Sequence, residues 1–213
     1  MCEDLATSSE HIPPKCIFPE LKDLPGVDYR KNLITVPSCD AHNSRKSKED
    51  EYLLLILVAH FDNNRVAEDQ FRTKILRALK HSPTLLRIYK QKTRDVMLNG
   101  EPSMAFQFSR GRVDRELSQM IRGLYFKETG NKWFSRITIH SPAMFVFEGS
   151  KAQFVNKTTR SMASAAASFF EDQPKKGNSP DVFWYQLYAE PQNRRLLARM
   201  CFYGGLEILG LSD

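Results

Sequence analysis

From residue 53 to 59 the chain reads LLLILVA, seven apolar residues in a row with no polar stripe among them. A helix that is apolar all round has no side to offer water, so the rest of the fold must close around it. As a helix this run rises only about 10 Å, against the roughly 30 Å of a bilayer core. It is therefore expected as a buried core helix and not as a membrane span. Ser47 and Asp50 precede it at capping-box spacing, with an acid at the positive helix end, which sets the helix at residues 48 to 61. The 213 residues can enclose such a helix as one large domain or two small ones.

The chain on either side changes character. Residues 1 to 47 hold five of the 11 prolines and three of the four cysteines, and no helical period. Within them NLITV (32 to 36) is β-branched and bounded by RK and PS, and reads as a strand. A second strand is expected near IPPKCIF (12 to 18), where prolines confine it to an edge. Past residue 61, apolar spacing predicts a helix over 66–80 and Pro83 opens another to residue 92. DVMLNGEPSMAFQFS alternates about an Asn-Gly turn and reads as a hairpin. A helix over about 111–130 should end at Gly130 in the left-handed region. RSMASAAASFF gives a short turn of helix, and RITIHSPAMFVFEG and FWYQLYAEPQNRRLLARMCFYGG give strands. The expected class is α+β: a small loop-rich head over 1–50 and a larger mixed body over 51–213.

Lys and Arg outnumber Asp and Glu by 31 to 25, a net charge of +6 that favours a polyanionic partner. The first residues carry Cys, Glu and Asp where a secretion signal needs positive charge and then an apolar block. Cysteines at 2, 16, 39 and 201 show no disulfide framework, and a cytoplasmic protein is expected.

Three short stretches carry chemistry. Glu10 and His11 stand side by side in EHIPP, Asn32 opens NLITV, and CDAHNSRKS runs from Cys39 into the core helix. Singly each has a plain explanation: a surface pair, a turn residue, a helix start beside a buried Cys. Together and in this order they resemble the HNH endonuclease family, in a His-Asn-Asn version. The resemblance covers roughly residues 2 to 50. It implies a ββα-metal fold in which His11 is the general base and Asn32 orients it. Glu10 and Asn43 would bind Mg²⁺ or Mn²⁺, with Asn43 also counted in the catalytic set. Many relatives hold a structural zinc in two Cys-x-x-Cys knuckles. Here Cys2, Cys39 and His42 offer three of the four ligands such a site needs. Arg45, Lys46 and Lys48 follow and would hold phosphates of a DNA substrate. Stand-alone members of this size resemble effectors of bacterial antiviral defence, which work beside a sensing ATPase. Two other readings stay open: a binding module that keeps the fold without cutting, and a ribonuclease using the same site.

The body is less specific. Arg87, Lys90, Lys92 and Arg94 gather near Tyr89, and Arg110, Arg112, Arg115 and Arg122 recur along the 111–130 helix. As a set they suit a groove that follows a nucleic-acid backbone, and singly they suit a solvated face. His60, His81 and His140 lack partner spacing and read as structural. SFF and VFWYQLY read as core, with Trp184 and Tyr185 packing rather than stacking on bases.

Overall fold

Two short strands open the chain in a computed structural model that describes residues 6–39, 47–98, 100–144 and 149–212. β1 (Ser8–His11) and β2 (Thr35–Ser38) pair antiparallel, with Glu10 opposite Val36 and His11 opposite Thr35. Both strands are displaced from their expected places. The prolines of IPPKCIF end β1 instead of lying in a strand, and Lys15–Ile17 is a single 3₁₀ turn. Asn32 has φ 55°, a left-handed value, so the strand expected from residue 32 begins at Thr35.

α1 (Ser47–Val58) carries the apolar run, and every residue from Leu53 to Val58 is buried, as an all-apolar helix requires. It stops three residues short of its expected end, where the Asn63 side-chain amide donates to the Leu57 carbonyl at 2.7 Å. The expected 66–80 helix is a single rod in three parts: α2 (Arg65–Gln70), a π turn (Phe71–Ile75) and α3 (Leu76–His81). Asn64 caps it, its side-chain oxygen accepting from the amides of Val66 and Ala67. At the π turn the Thr73 hydroxyl takes the Asp69 carbonyl (2.7 Å), a side-chain bond that competes with the helical ladder. α4 (Pro83–Lys92) starts at a Ser82 cap with Pro83 in its first turn.

β3 (Thr93–Leu98) and β4 (Glu101–Phe106) form the expected hairpin, six pairs long, with Gly100 at φ 88° in the turn. α5 (Arg110–Thr129) buries Val113, Leu117, Met120, Ile121 and Leu124 on one side and ends where Gly130 (φ 71°) donates to the Phe126 carbonyl.

The remainder builds one sheet. β5 (Thr138–His140) is followed by α6 (Ala152–Phe169), then β6 (Lys176–Ser179), β7 (Phe183–Glu190), β8 (Arg195–Phe202) and β9 (Leu206–Ser212). The sheet is antiparallel in the order β5-β9-β8-β7-β6. Alternation sorts its two sides. Phe183 and Tyr185, Ala198, Met200 and Phe202, and Ile208 turn toward the main core; a Cβ at Gly210 would overlap Ile121 of α5. The opposite side bears Leu197 and Leu209, covered by α6 through Ala163 and Ala166. Those small residues let α6 lie close to the sheet, and it runs to 18 residues where a short turn is expected from sequence.

The class is α+β. A single apolar cluster includes Ile12, Ile17, Phe18 and Val36 from the head together with Leu53–Val58, α5 and the sheet. No helix among the described residues is long and apolar enough to cross a membrane.

Candidate functional site at the end of strand β1

Ile12 anchors the site. It is only 5% exposed and fits against α5 at Gly123, where any Cβ would overlap Ile12 Cδ1. Its amide donates to the Ile34 carbonyl at 2.9 Å, extending the β1–β2 pairing by a residue. The Ile12–Pro13 peptide is cis, and Pro13 and Pro14 are buried. Next, the buried Tyr203 hydroxyl donates to the Ile17 carbonyl at 2.6 Å. The apolar residues after Glu10-His11 are therefore sunk in the core, while the pair itself stands half-buried at the strand end.

The loop that returns to β2 is pinned in turn. Arg30 Nε donates to the Phe18 carbonyl (3.0 Å), and its guanidinium lies 3.3 Å from Glu20. Ser179 of β6 donates to the Tyr29 carbonyl (3.2 Å), and the Asn178 side-chain amide donates to the Asn32 carbonyl. Asn is among the few non-glycine residues that take a left-handed turn readily. The described hydrogen bond of Asn32 runs through its backbone, to the body, and its side chain is exposed.

Partial burial lowers the His11 pKa below the ordinary 6.5; the positive charges of Lys15 and Arg30 lower it further, and Glu10 opposes them. The Ser38 hydroxyl makes a long 3.4 Å bond to Glu10 Oε2. Cys39 is buried directly after β2, and Lys48 is exposed in the first turn of α1. Cys2, His42, Asn43, Arg45 and Lys46 lie outside the described residues. Among the described residues no group of three or more His, Cys, Asp or Glu is gathered as a metal cage. At the strand end the half-buried Glu10 carboxylate is an oxygen donor of the kind a hard cation takes, and His11 follows it in the chain.

Sequence reasoning singled out neither Lys15 and Arg30, which tune His11, nor Gly123 and Asn178, which fix the frame. Their signals are weak. Gly123 is a glycine inside a helical pattern, which weakens the helix signal without saying what packs against it.

Elsewhere the basic residues separate into two groups. Arg112 pairs with Glu49 (2.8 Å) and covers the Tyr52 ring, Arg110 pairs with Asp114 (2.6 Å), and Arg122 donates to the carbonyls of Trp133 and Ser135. Those three are structural. The group around Tyr89 is exposed. Trp184 is buried with Lys175 and Arg199 over its ring, and Tyr185 is buried with its hydroxyl donating to Glu128, both packing as read from the sequence. His60 packs tilted against the Phe61 ring, with Asp62 3.7 Å away.

Compared with protein-family models, with curated proteins and with solved structures, the chain finds no match.

Proposed function

We propose that the chain is an HNH-type endonuclease that hydrolyses DNA phosphodiester bonds with a divalent cation, with His11 as general base. The observation that carries this reading is the clamped end of β1. Glu10 and His11 close a strand whose next residue is locked against α5. A base must be held within hydrogen-bond reach of the water it deprotonates, and it must be unprotonated at the working pH. Burial of Ile12 supports the first requirement, and the lowered His11 pKa supports the second.

In this reading the attacking water gives its proton to His11, whose neutral form is favoured first by partial burial and then by the charges of Lys15 and Arg30. Glu10, with Asn43, would hold the cation. When bound, Mg²⁺ or Mn²⁺ would supply positive charge to the phosphate and the departing oxygen. Asn32 holds the returning loop to β6 through its carbonyl. Lys48, with Arg45 and Lys46, would hold neighbouring phosphates.

Plasmid cleavage by the wild type and by His11→Ala, in Mg²⁺, Mn²⁺ or EDTA, tests it. Metal-dependent cutting that falls at least about 10²-fold in the variant is expected. Cutting that survives the substitution sinks the role of His11. RNA cut faster than DNA of the same sequence would turn the reading to a ribonuclease.

A further inference from the structure

From Gln70 to Arg94 the chain carries eight Lys and Arg and no Asp or Glu. Three of those cations are occupied. Arg72 faces Glu68 at 3.8 Å, Lys74 donates to the Cys16 carbonyl at 3.1 Å, and Arg77 makes a bidentate bond to Asp23. The other five, Lys80, Arg87, Lys90, Lys92 and Arg94, are exposed, and among the described residues none forms an ion pair. They follow one another from the end of α3 along α4 and into β3. Asp95, the first acid after the run, turns to the other side of the ribbon from Arg94 by strand alternation.

Like charges collected on one surface repel each other and cost stability unless a polyanion meets them. The body has the means to pair cations, as Arg110 and Arg112 show on α5, yet among the described residues none of these five is ion-paired. α4 rises about 15 Å over its ten residues, a length that spans about four base-pair steps at 3.4 Å each. An arm of that size bearing mobile Lys and Arg heads is suited to the backbone of a duplex, with no need to read bases.

We infer that α4 and the start of β3 form a second DNA-binding surface, separate from the Glu10-His11 site, that grips duplex phosphates through Lys80, Arg87, Lys90, Lys92 and Arg94. The choice of DNA rests on the nuclease reading; the surface itself does not, because binding needs neither His11 nor a metal. It gives the protein a hold on its substrate that acts before cutting and is independent of sequence.

The test is fluorescence anisotropy of the full chain with a labelled 30-base-pair duplex, in EDTA, across a KCl series. Three proteins are compared with the wild type: Arg87→Gln/Lys90→Gln/Lys92→Gln/Arg94→Gln, the double Arg87→Gln/Lys90→Gln, and a control that removes four exposed cations elsewhere. That control is Lys127→Gln/Lys151→Gln/Lys157→Gln/Arg160→Gln. Each phosphate contact contributes about 0.9 to the slope of log K against log salt, so the arm quadruple should lose about 2 to 4 units of slope. The double should lose about half as much, and the control much less than the arm quadruple. Circular dichroism checks that each variant is folded, and the double serves if the quadruple is not. Equal losses in arm and control variants would show that only net charge matters and overturn the inference. So would an unchanged slope, or no binding by the wild type. If the arm variants keep their slope while Met97→Ser/Met104→Ser abolishes self-association, this region is a protein contact instead. Failure of the wild type to cut any plasmid bears on the nuclease reading alone and leaves these binding results intact.

Discussion

Among the described residues two antiparallel strand pairs stand apart from the main sheet, and the shorter one is the more deeply buried. β1–β2 has four residue pairs and β3–β4 has six. A lone hairpin is marginal in water, so what each leans on decides its rigidity. β1–β2 sends Ile12 and Val36 into the main core against Gly123 of α5. β3–β4 is held at its base, where Phe106 stacks on Tyr89 at 5.7 Å and the Gln107 amide donates to the Lys92 carbonyl. Farther out, Met97 and Met104 are 65% and 67% exposed. Pairing length does not confer precision; burial does. A base and a metal ligand need fixed geometry, which the buried hairpin can give. Contacts to phosphates by long basic side chains tolerate the looser one.

The strongest way to break this comparison is to remove an anchor from each hairpin. Ile12→Ala should cost about 2 to 4 kcal/mol in urea unfolding, because it leaves a hole against α5, and it should also depress cleavage. Met97→Ala should change stability by about 0.5 kcal/mol or less. Equal costs would mean that β3–β4 is as much a part of the core as β1–β2.

A smaller effect sharpens the same contrast. Tyr203→Phe deletes the fully buried hydroxyl that meets the Ile17 carbonyl. The orphaned carbonyl should cost about 1 to 3 kcal/mol. Hydrogen exchange gives the local reading: the Ile12 amide, bonded to Ile34, should exchange faster, while the Gln107 amide at the base of β3–β4 should not change.

The two halves were legible in opposite ways. In the body, periodicity exposed the elements: the buried α1, the rod from residue 65 to 81, the Ser82 and Gly130 caps and the Asn-Gly hairpin follow from local chemistry. α6 was underestimated, because runs of Ala and Ser carry little hydrophobic period even when Ala163 and Ala166 pack closely on a sheet. In the head the strand limits escaped, and the chemistry expected from motif order rests on the cleavage assay. Pro13 and Pro14 and the left-handed Asn32 are tertiary compromises, fixed by Gly123, Tyr203 and Asn178 far along the chain. Lys15 and Arg30 were missed for the same reason: their influence on His11 arises from folding the loop back, which spacing does not encode.

The smallest effect concerns the contact that ties the head to the rod ahead of the basic arm. Arg77 of α3 donates two bonds to Asp23, at 2.7 and 3.1 Å, and the Asp23 side chain is 5% exposed. The hydrogen bonds from Arg77 hold the Asp23 carboxyl below its ordinary 3.8, more than burial raises it. A carboxylate with a depressed folded pKa stabilises the fold above its unfolded pKa and loses that contribution as pH falls through the folded value. The urea midpoint should therefore drop on going from pH 5 to pH 2.5, and Asp23→Asn should make this drop shallower while lowering the midpoint at pH 7. Because Arg77 is exposed, salt at 1 M should weaken the effect at pH 7. If Asp23→Asn leaves the acid profile unchanged, the head is held by its apolar anchors alone, and the arm and the β1–β2 pair are coupled only through the core.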